Sequence, residues 1–408
     1  MKSISHLKDS NTFCLLPFMH TYGSANGNLV LCCEAQEYEC GKGSNTLDSK
    51  WNSEEYKEVR QALVEGRKHK ACHVCWHNED NGIESNRQLH TEQHWDEFSQ
   101  LIKLNDDYSV SNQPVWFELK IGNFCNLACR MCSTHSSYKR AQDIDIIGKY
   151  SGFDNQETKL VTPDDLFTIL QNDVDWTQVE RLQFTGGEPI INEMHYDLLY
   201  SIPKEYRHLI RLRYATNLTH LKYRQHDLID IWRQFKHVNV KVSMDGAGDV
   251  YNYIRIGANF DTVANNMNTL KNVDNVDIAV GLTIQAYNVF ALPEFFDWIN
   301  RTGINFSFVG SFLLQTPKYL NISVLPQHLK DQICDKLSKY DGKVNIHRHD
   351  NFDTIIEYMQ KNDNEKLFWK KTMPYTSDME SRHPDSITFS NLLTVSYTHL
   401  TLPTTPYV

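Results

Sequence analysis

The amino-acid sequence predicts an α/β fold: a partial (βα)6 barrel, curled and partly open, preceded by a small cysteine-rich module. Three observations lead there. Six apolar, strand-like runs recur at 116–121, 181–185, 212–216, 238–244, 276–284 and 304–309. Helical stretches with their own start signals lie between the runs. A chain of 408 residues is long enough for a sizeable core and for one large unit with an appendage. Strands and helices alternating in series form a parallel sheet with right-handed crossovers. Six units fall short of the eight that close a barrel, so the sheet is expected to stay open.

In chain order, residues 1–90 form the cysteine-rich module and 91–113 a linker, placed on the polar stretch Glu92–Ser111. The barrel core spans 114–330. Within it, Thr162-Pro163-Asp164-Asp165 reads as a helix start, with a capping residue, a proline in the first turn and acids that suit the helix dipole. Asn288 is expected to cap a helix carrying Phe290, Leu292, Phe295, Phe296 and Trp298. Residues 331–394 form a C-terminal extension, with Pro326 to Ser377 helical and rich in Lys and Asp. The last stretch, 395–408, is VSYTHLTLPTTPYV. It resembles translated adaptor read-through and is expected to be a non-native tail. No internal repeat or low-complexity block is visible.

Composition removes several functions. Hydrophobic residues at 40% and aromatics at 12% describe a globular protein. A net charge of −10 argues against a general nucleic-acid binder, because phosphate contacts need a basic face. No apolar run reaches the 18 residues of a membrane span, and MKSISHLKDS lacks an apolar signal core. Ten cysteines without an export signal point to metal or redox chemistry in a reducing compartment, the cytoplasm. A cysteine is ordinarily a small buried hydrophobe. That suits Cys334 and Cys40, but not the clusters.

The first cluster is CNLACRMC, with Cys125, Cys129 and Cys132 spaced Cys-x3-Cys-x2-Cys. It follows the first strand, FELKIG, and so belongs at the C-terminal mouth of the sheet, where barrels of this kind build active sites. Three thiolates can hold three irons of a cubane and leave the fourth open. Zinc would need a fourth ligand, for which His135 is the nearest choice.

These residues resemble the signature of radical S-adenosylmethionine (SAM) enzymes. The resemblance implies a 4Fe-4S cluster on Cys125, Cys129 and Cys132, whose open iron chelates SAM. Contact with the adenine by Met131 is implied too, through its backbone, at a position that is usually aromatic in the family. Gly186-Gly187-Glu188-Pro189, after the second strand, resembles the family's GGEP motif for the SAM amino group. Glycines there would bring backbone carbonyls close to an ammonium, with Glu188 as charge partner. Later strand ends carry further matches: Asn217 in Ala-Thr-Asn, and Ser243 and Asp245 in Ser-Met-Asp-Gly as ribose partners. Arg255 in YIRIG resembles an arginine that pairs with the SAM carboxylate, and Gln285 lies at the end of the fifth strand.

The second cluster is Cys14-x12-Gly27-x4-Cys32 followed by Cys72-x2-Cys75. On the residues alone a zinc ribbon is favoured, with His73 or His77 as alternative ligands. The arrangement also resembles the SPASM/twitch module of radical SAM enzymes, with Trp51 and Arg60 on its helix, here ahead of the barrel instead of after it. That resemblance implies an auxiliary 4Fe-4S cluster on Cys14, Cys32, Cys72 and Cys75. Cys33 competes with Cys32, and Gly-x4-Cys selects Cys32.

Together the resemblances imply reductive cleavage of SAM to a 5′-deoxyadenosyl radical. A substrate is then oxidised or cross-linked, with the auxiliary cluster as electron acceptor. The substrate implied is a peptide, with a sugar or small alcohol as the alternative, and the reductant a flavodoxin or ferredoxin. A zinc-stabilised binding module without catalysis is the reading from another class.

Overall fold

Residues 20–23 of the N-terminal module form a strand, β1 (His20–Gly23), buried along its whole length. It turns through Ser24–Asn28 into β2 (Leu29–Val30), with which it pairs antiparallel, and β2 pairs with β3 (Glu39–Cys40). Gly27 makes that turn possible, at φ +84°, a conformation side chains rarely adopt. The opposite edge of β1 runs parallel to β4 (Trp116–Lys120), with His20 opposite Trp116 and Gly23 opposite Leu119. The module therefore shares a sheet with the first strand of the predicted barrel.

The computed structural model describes residues 4–35, 38–80, 84–151, 159–344, 352–384 and 387–394; the 395–408 tail lies outside them. The chain divides into two units. The first comprises Met1–Phe124, Leu160–Ala215 and Lys222–Asn239, and the second Cys125–Lys159, Thr216–Leu221 and Val240–Val408.

In the first unit β4 pairs parallel with β5 (Arg181–Thr185), and β5 with β6 (Arg211–Thr216). A small hairpin of β7 (Lys222–Tyr223) and β8 (His226–Asp227) follows. The strand β9 (His237–Ser243) passes into the second unit, where β10 (Val276–Ile284) and β11 (Phe308–Leu313) pair parallel. Helices separate β4, β5, β6, β9, β10 and β11 along the chain, as the α/β pattern requires. β6 and β9 alternate buried and half-buried residues, so Val238, Val240 and Val242 pack inward while Asn239, Lys241 and Ser243 line the other face. Among the described residues no helix is long and apolar enough to cross a membrane.

Local chemistry fixes the helices. Asn192 caps Glu193–Ser201, Asp227 caps Leu228–Trp232 and Asn259 caps Phe260–Leu270, each through its side-chain oxygen. Pro163, not Thr162, stands at the N-cap of Asp164–Asp173, and no side chain caps that helix. Asn288 does not cap its helix either; its side chain ties strand ends together, as described below. The stretch expected to be a linker holds the second half of the helix Asn86–Phe98, which starts with a Ser85/Gln88 capping box. The sixth strand lies about one turn of sequence later than expected. Its position is set by the ladder to Ala279–Ile284, and Ile304–Ser307 lead into it.

Arg60 staples the module from inside. Its guanidinium donates to Pro17 O (2.8 Å), Trp51 O (2.9 Å) and Asn52 Oδ1 (3.0 Å), and lies 4.3 Å over the Trp51 ring. Three half-buried or buried histidines are a liability in acid. Burial holds His90, His94 and His195 at about 3, far below the usual imidazole value. The folded chain then binds fewer protons than the unfolded chain below pH 6.5, so stability must fall as pH drops from 7 to 5. For His195 alone the loss is about 2 kcal/mol by pH 5. Urea midpoints measured at both pH values check this, and His94→Gln is expected to flatten the slope.

Candidate functional site

In the second unit the cysteine loop is held by its backbone. Ala128 N donates to Ile256 O and Arg130 N to Ile254 O, both at 2.9 Å, which fastens the loop to the end of the helix Gly248–Ile254. Cys129 is buried, while Cys125 and Cys132 are half-buried. Leu127 N donates to Cys125 Sγ at 3.5 Å. A hydrogen bond from Cys129 pulls the Cys132 thiol below its usual range, with Arg255 and Arg140 acting the same way against burial. The same bond and burial raise Cys129. Within the loop, Cys132 therefore gives up its proton more readily than Cys129.

Arg255 joins two of the predicted site residues. Its Nη1 donates to Cys129 Sγ (3.8 Å) and its Nη2 pairs with Asp245 Oδ2 (2.8 Å). Asp245 is fully buried, and its Oδ1 accepts from Thr283 N at 2.8 Å. Burial raises Asp245, with Arg255 opposing. In this structure the two residues expected to meet different parts of SAM meet each other. Ser243 stands at the end of β9 and Met131 is half-buried on the loop.

Asn217, just past β6, donates to Asn126 Oδ1 (2.9 Å) and accepts from Thr219 N (3.0 Å) and Thr219 Oγ1 (2.7 Å). Asn126 donates in turn to Thr219 Oγ1 at 2.9 Å. Asn126 was not singled out in the sequence, although it lies between the first two cysteines. Asn288, expected only as a helix cap, also belongs here. It donates to Asp245 O (2.9 Å) and Thr283 O (2.8 Å) and accepts from Gln285 N (2.8 Å), so one amide links two strand ends. Gln285 is fully buried, yet neither its side-chain oxygen nor its nitrogen has a partner among the described residues.

In the first unit the Gly186-Gly187 pair packs against backbone. Gly187 N donates to Gly122 O (3.1 Å) and Glu188 N to Phe124 O (2.8 Å), Phe124 being the residue before Cys125 in the chain. A Cβ on Gly187 would collide with Phe124 O, and Gly186 sits at φ +120° with Gly122 O 2.9 Å from where its Cβ would be. The glycines thus serve a close backbone contact, where carbonyl exposure was the expected reason. Glu188 is buried; its Oε1 accepts from Ile190 N at 3.1 Å and caps the short turn Pro189–Ile191.

The four N-terminal thiols influence one another electrostatically without converging as the ligands of one ion. Burial raises Cys14 first, then the charges of Cys72 and Cys32. Cys32 is raised by burial and further by Cys72 and Cys75, and Cys72 reaches about 12 through burial and Cys75. Burial likewise raises Cys75. Burial raises Cys33 as well, followed by the charges of Glu118, Cys32 and Glu34. Cys40 is buried near Tyr38 O, apart from the four. His135 is exposed. Among the described residues, no three His, Cys, Asp or Glu side chains converge as the ligands of one ion would.

Residues 119–288 match the Radical SAM superfamily. Over this stretch the chain is similar to a radical SAM domain. A 4Fe-4S cluster and SAM are the cofactors such a domain implies; toward them the chain offers three thiols on one short loop, a buried cation bonded to one of them, and a buried amide at a strand end with both polar atoms unpaired among the described residues. No curated protein sequence matches the chain. Solved structures similar to it include anSMEcpe with bound AdoMet and Cp18Cys peptide, at 16% identity and TM-score 0.34, covering 54% of this chain and 58% of that one. Another anSMEcpe structure, with bound AdoMet, aligns at 15% identity and TM-score 0.40, covering 62% and 68%. Streptococcus suis SuiB bound to precursor peptide SuiA aligns at 14% identity and TM-score 0.35, covering 71% and 65%. The chain spans less than two thirds of the first of these. Identities this low transfer no residue roles to the radical SAM domain.

Proposed function

We propose that the chain is a radical SAM oxidoreductase or maturase that oxidises or cross-links a peptide. With its cluster and SAM bound, the domain would supply reductive cleavage of SAM to methionine and a 5′-deoxyadenosyl radical. Cys125, Cys129 and Cys132 would hold the cluster. With the cluster bound, Arg255 would balance thiolate charge at Cys129 while Asp245 fixes its other end. Asn217 holds Asn126 and with it the first turn of the loop. Ser243, Gln285 and the GGEP residues Gly186, Gly187, Glu188 and Pro189 would line the SAM site. Burial of Cys129 would shield that ligand from water.

Cys14, Cys32, Cys72 and Cys75 would saturate an auxiliary 4Fe-4S cluster, leaving it no vacant iron for substrate. Its role in this reading is to accept the substrate's second electron, which makes the reaction a net oxidation. A flavodoxin or ferredoxin would supply reducing equivalents in the cytoplasm. The observation that carries the reading is the three-thiol loop with its bonded arginine inside the matched domain. Anaerobic reconstitution followed by SAM and dithionite tests it. Formation of 5′-deoxyadenosine is expected; zinc without sulfide and no cleavage would point to the binding module instead.

Glu188 separates charge from capping. Glu188→Ala is expected to weaken SAM binding ten- to hundredfold, the worth of one charge-assisted hydrogen bond at about 1.5–3 kcal/mol. Glu188→Gln keeps an acceptor for Ile190 N but loses the charge, so it is expected to weaken SAM binding similarly. A wild-type dissociation constant in the Gln variant would reduce Glu188 to a turn residue.

A further inference from the structure

The helix Met373–Arg382, in the C-terminal extension, reaches the cysteine loop within the second unit. Tyr375 is fully buried on it, and its hydroxyl donates to Arg130 O at 2.6 Å. Arg130 stands between Cys129 and Cys132, so the bond falls on the loop backbone itself. The same hydroxyl accepts from Arg140 Nη2 at 2.9 Å. Arg140 is 1% exposed and its Nε points at Cys132 O, 3.4 Å away, while its Nη1 pairs with the fully buried Asp143. His383, just past the helix, adds a 3.0 Å contact to Asp143.

A phenol and a guanidinium, both out of water, therefore hold two carbonyls of an eight-residue loop. Such a buried and mutually bonded network keeps one geometry and acts at low dielectric, where its dipoles and charges matter most. Hydrogen bonds and charge beside ligating sulfurs are among the levers that set a cluster's potential. From these contacts we propose that Tyr375 and Arg140 are positioning residues for the cluster on Cys125, Cys129 and Cys132. The helix Met373–Arg382 is thus part of that site and sets both its reduction potential and its resistance to loss in air. This rests on the radical SAM reading of the loop.

Tyr375→Phe is the conservative test, because it removes one hydroxyl and keeps the ring. Asp378→Asn is the control: Asp378 anchors the same helix through Lys149 Nζ (2.8 Å) and Tyr150 OH (2.6 Å) without touching the loop. Both variants and the wild type are reconstituted anaerobically. Their potentials are read by EPR-monitored redox titration, and cluster loss in air by the decay of visible absorbance. Tyr375→Phe is expected to shift the potential and to lose its cluster several-fold faster, with Asp378→Asn near wild type in both. Equal potentials and decay rates in Tyr375→Phe and wild type would overturn the proposal, as would an equal shift in the control. A wild type that assembles no cluster would instead overturn the reading of the three cysteines, and the proposal with it.

Discussion

Cys129→Ala is expected to abolish 5′-deoxyadenosine formation while leaving the fold intact. Cys129 is the buried member of the loop's three thiols and the one that Arg255 contacts. It also donates the hydrogen bond that keeps Cys132 ionisable. Its removal takes away a ligand, frees Arg255 from one end of its bridge and deprives Cys132 of the largest influence that lowers it. Cleavage in the anaerobic assay is expected to fall by at least about a hundredfold, equivalent to about 2.7 kcal/mol or more of barrier. Circular dichroism should remain that of the wild type, since alanine fills most of a small site. Undiminished 5′-deoxyadenosine from a folded Cys129→Ala protein would sink the assignment of this loop.

Cys75→Ala divides the two halves of the proposed reaction. Cys75 is 6% exposed and acts electrostatically on Cys14, Cys32 and Cys72. Without it the auxiliary cluster loses one of four ligands, and iron is expected to drop from about eight to about four per chain. SAM cleavage should persist within about twofold, since the first cluster is untouched. Oxidised product should vanish, because the substrate radical has lost its electron acceptor. Full product from a folded variant with about four irons would leave that cluster a structural role only.

Much of the fold was readable in the sequence, for a physical reason. Strand ends in a parallel sheet are marked by short motifs, and Gly186-Gly187, Asn217, Ser243 and Gln285 all fall at or just past such ends. Five of the six strands lie within a residue or two of their apolar runs. The sixth was displaced because Phe308–Leu313 is selected by hydrogen bonding to β10, and apolar alternation in 304–309 carries no record of its partner. Asn288 was misread for a similar reason. A cap looks local, but its amide is used across 43 residues to Asp245. Tyr375 bonds a loop 245 residues away, which no local pattern announces.

The pairing of β1 with β4 has a consequence for dissection of the chain. A fragment beginning at residue 114 would start almost at β4 and strip from it the neighbour that occupies its outer edge. The bared strand would present a row of unpaired amides flanked by Trp116 and Phe117, the kind of edge that recruits other chains. The cysteine-rich segment is thus a guard against self-association as well as a candidate electron acceptor. Its removal would be met first as loss of monomer, before any effect on chemistry could be measured.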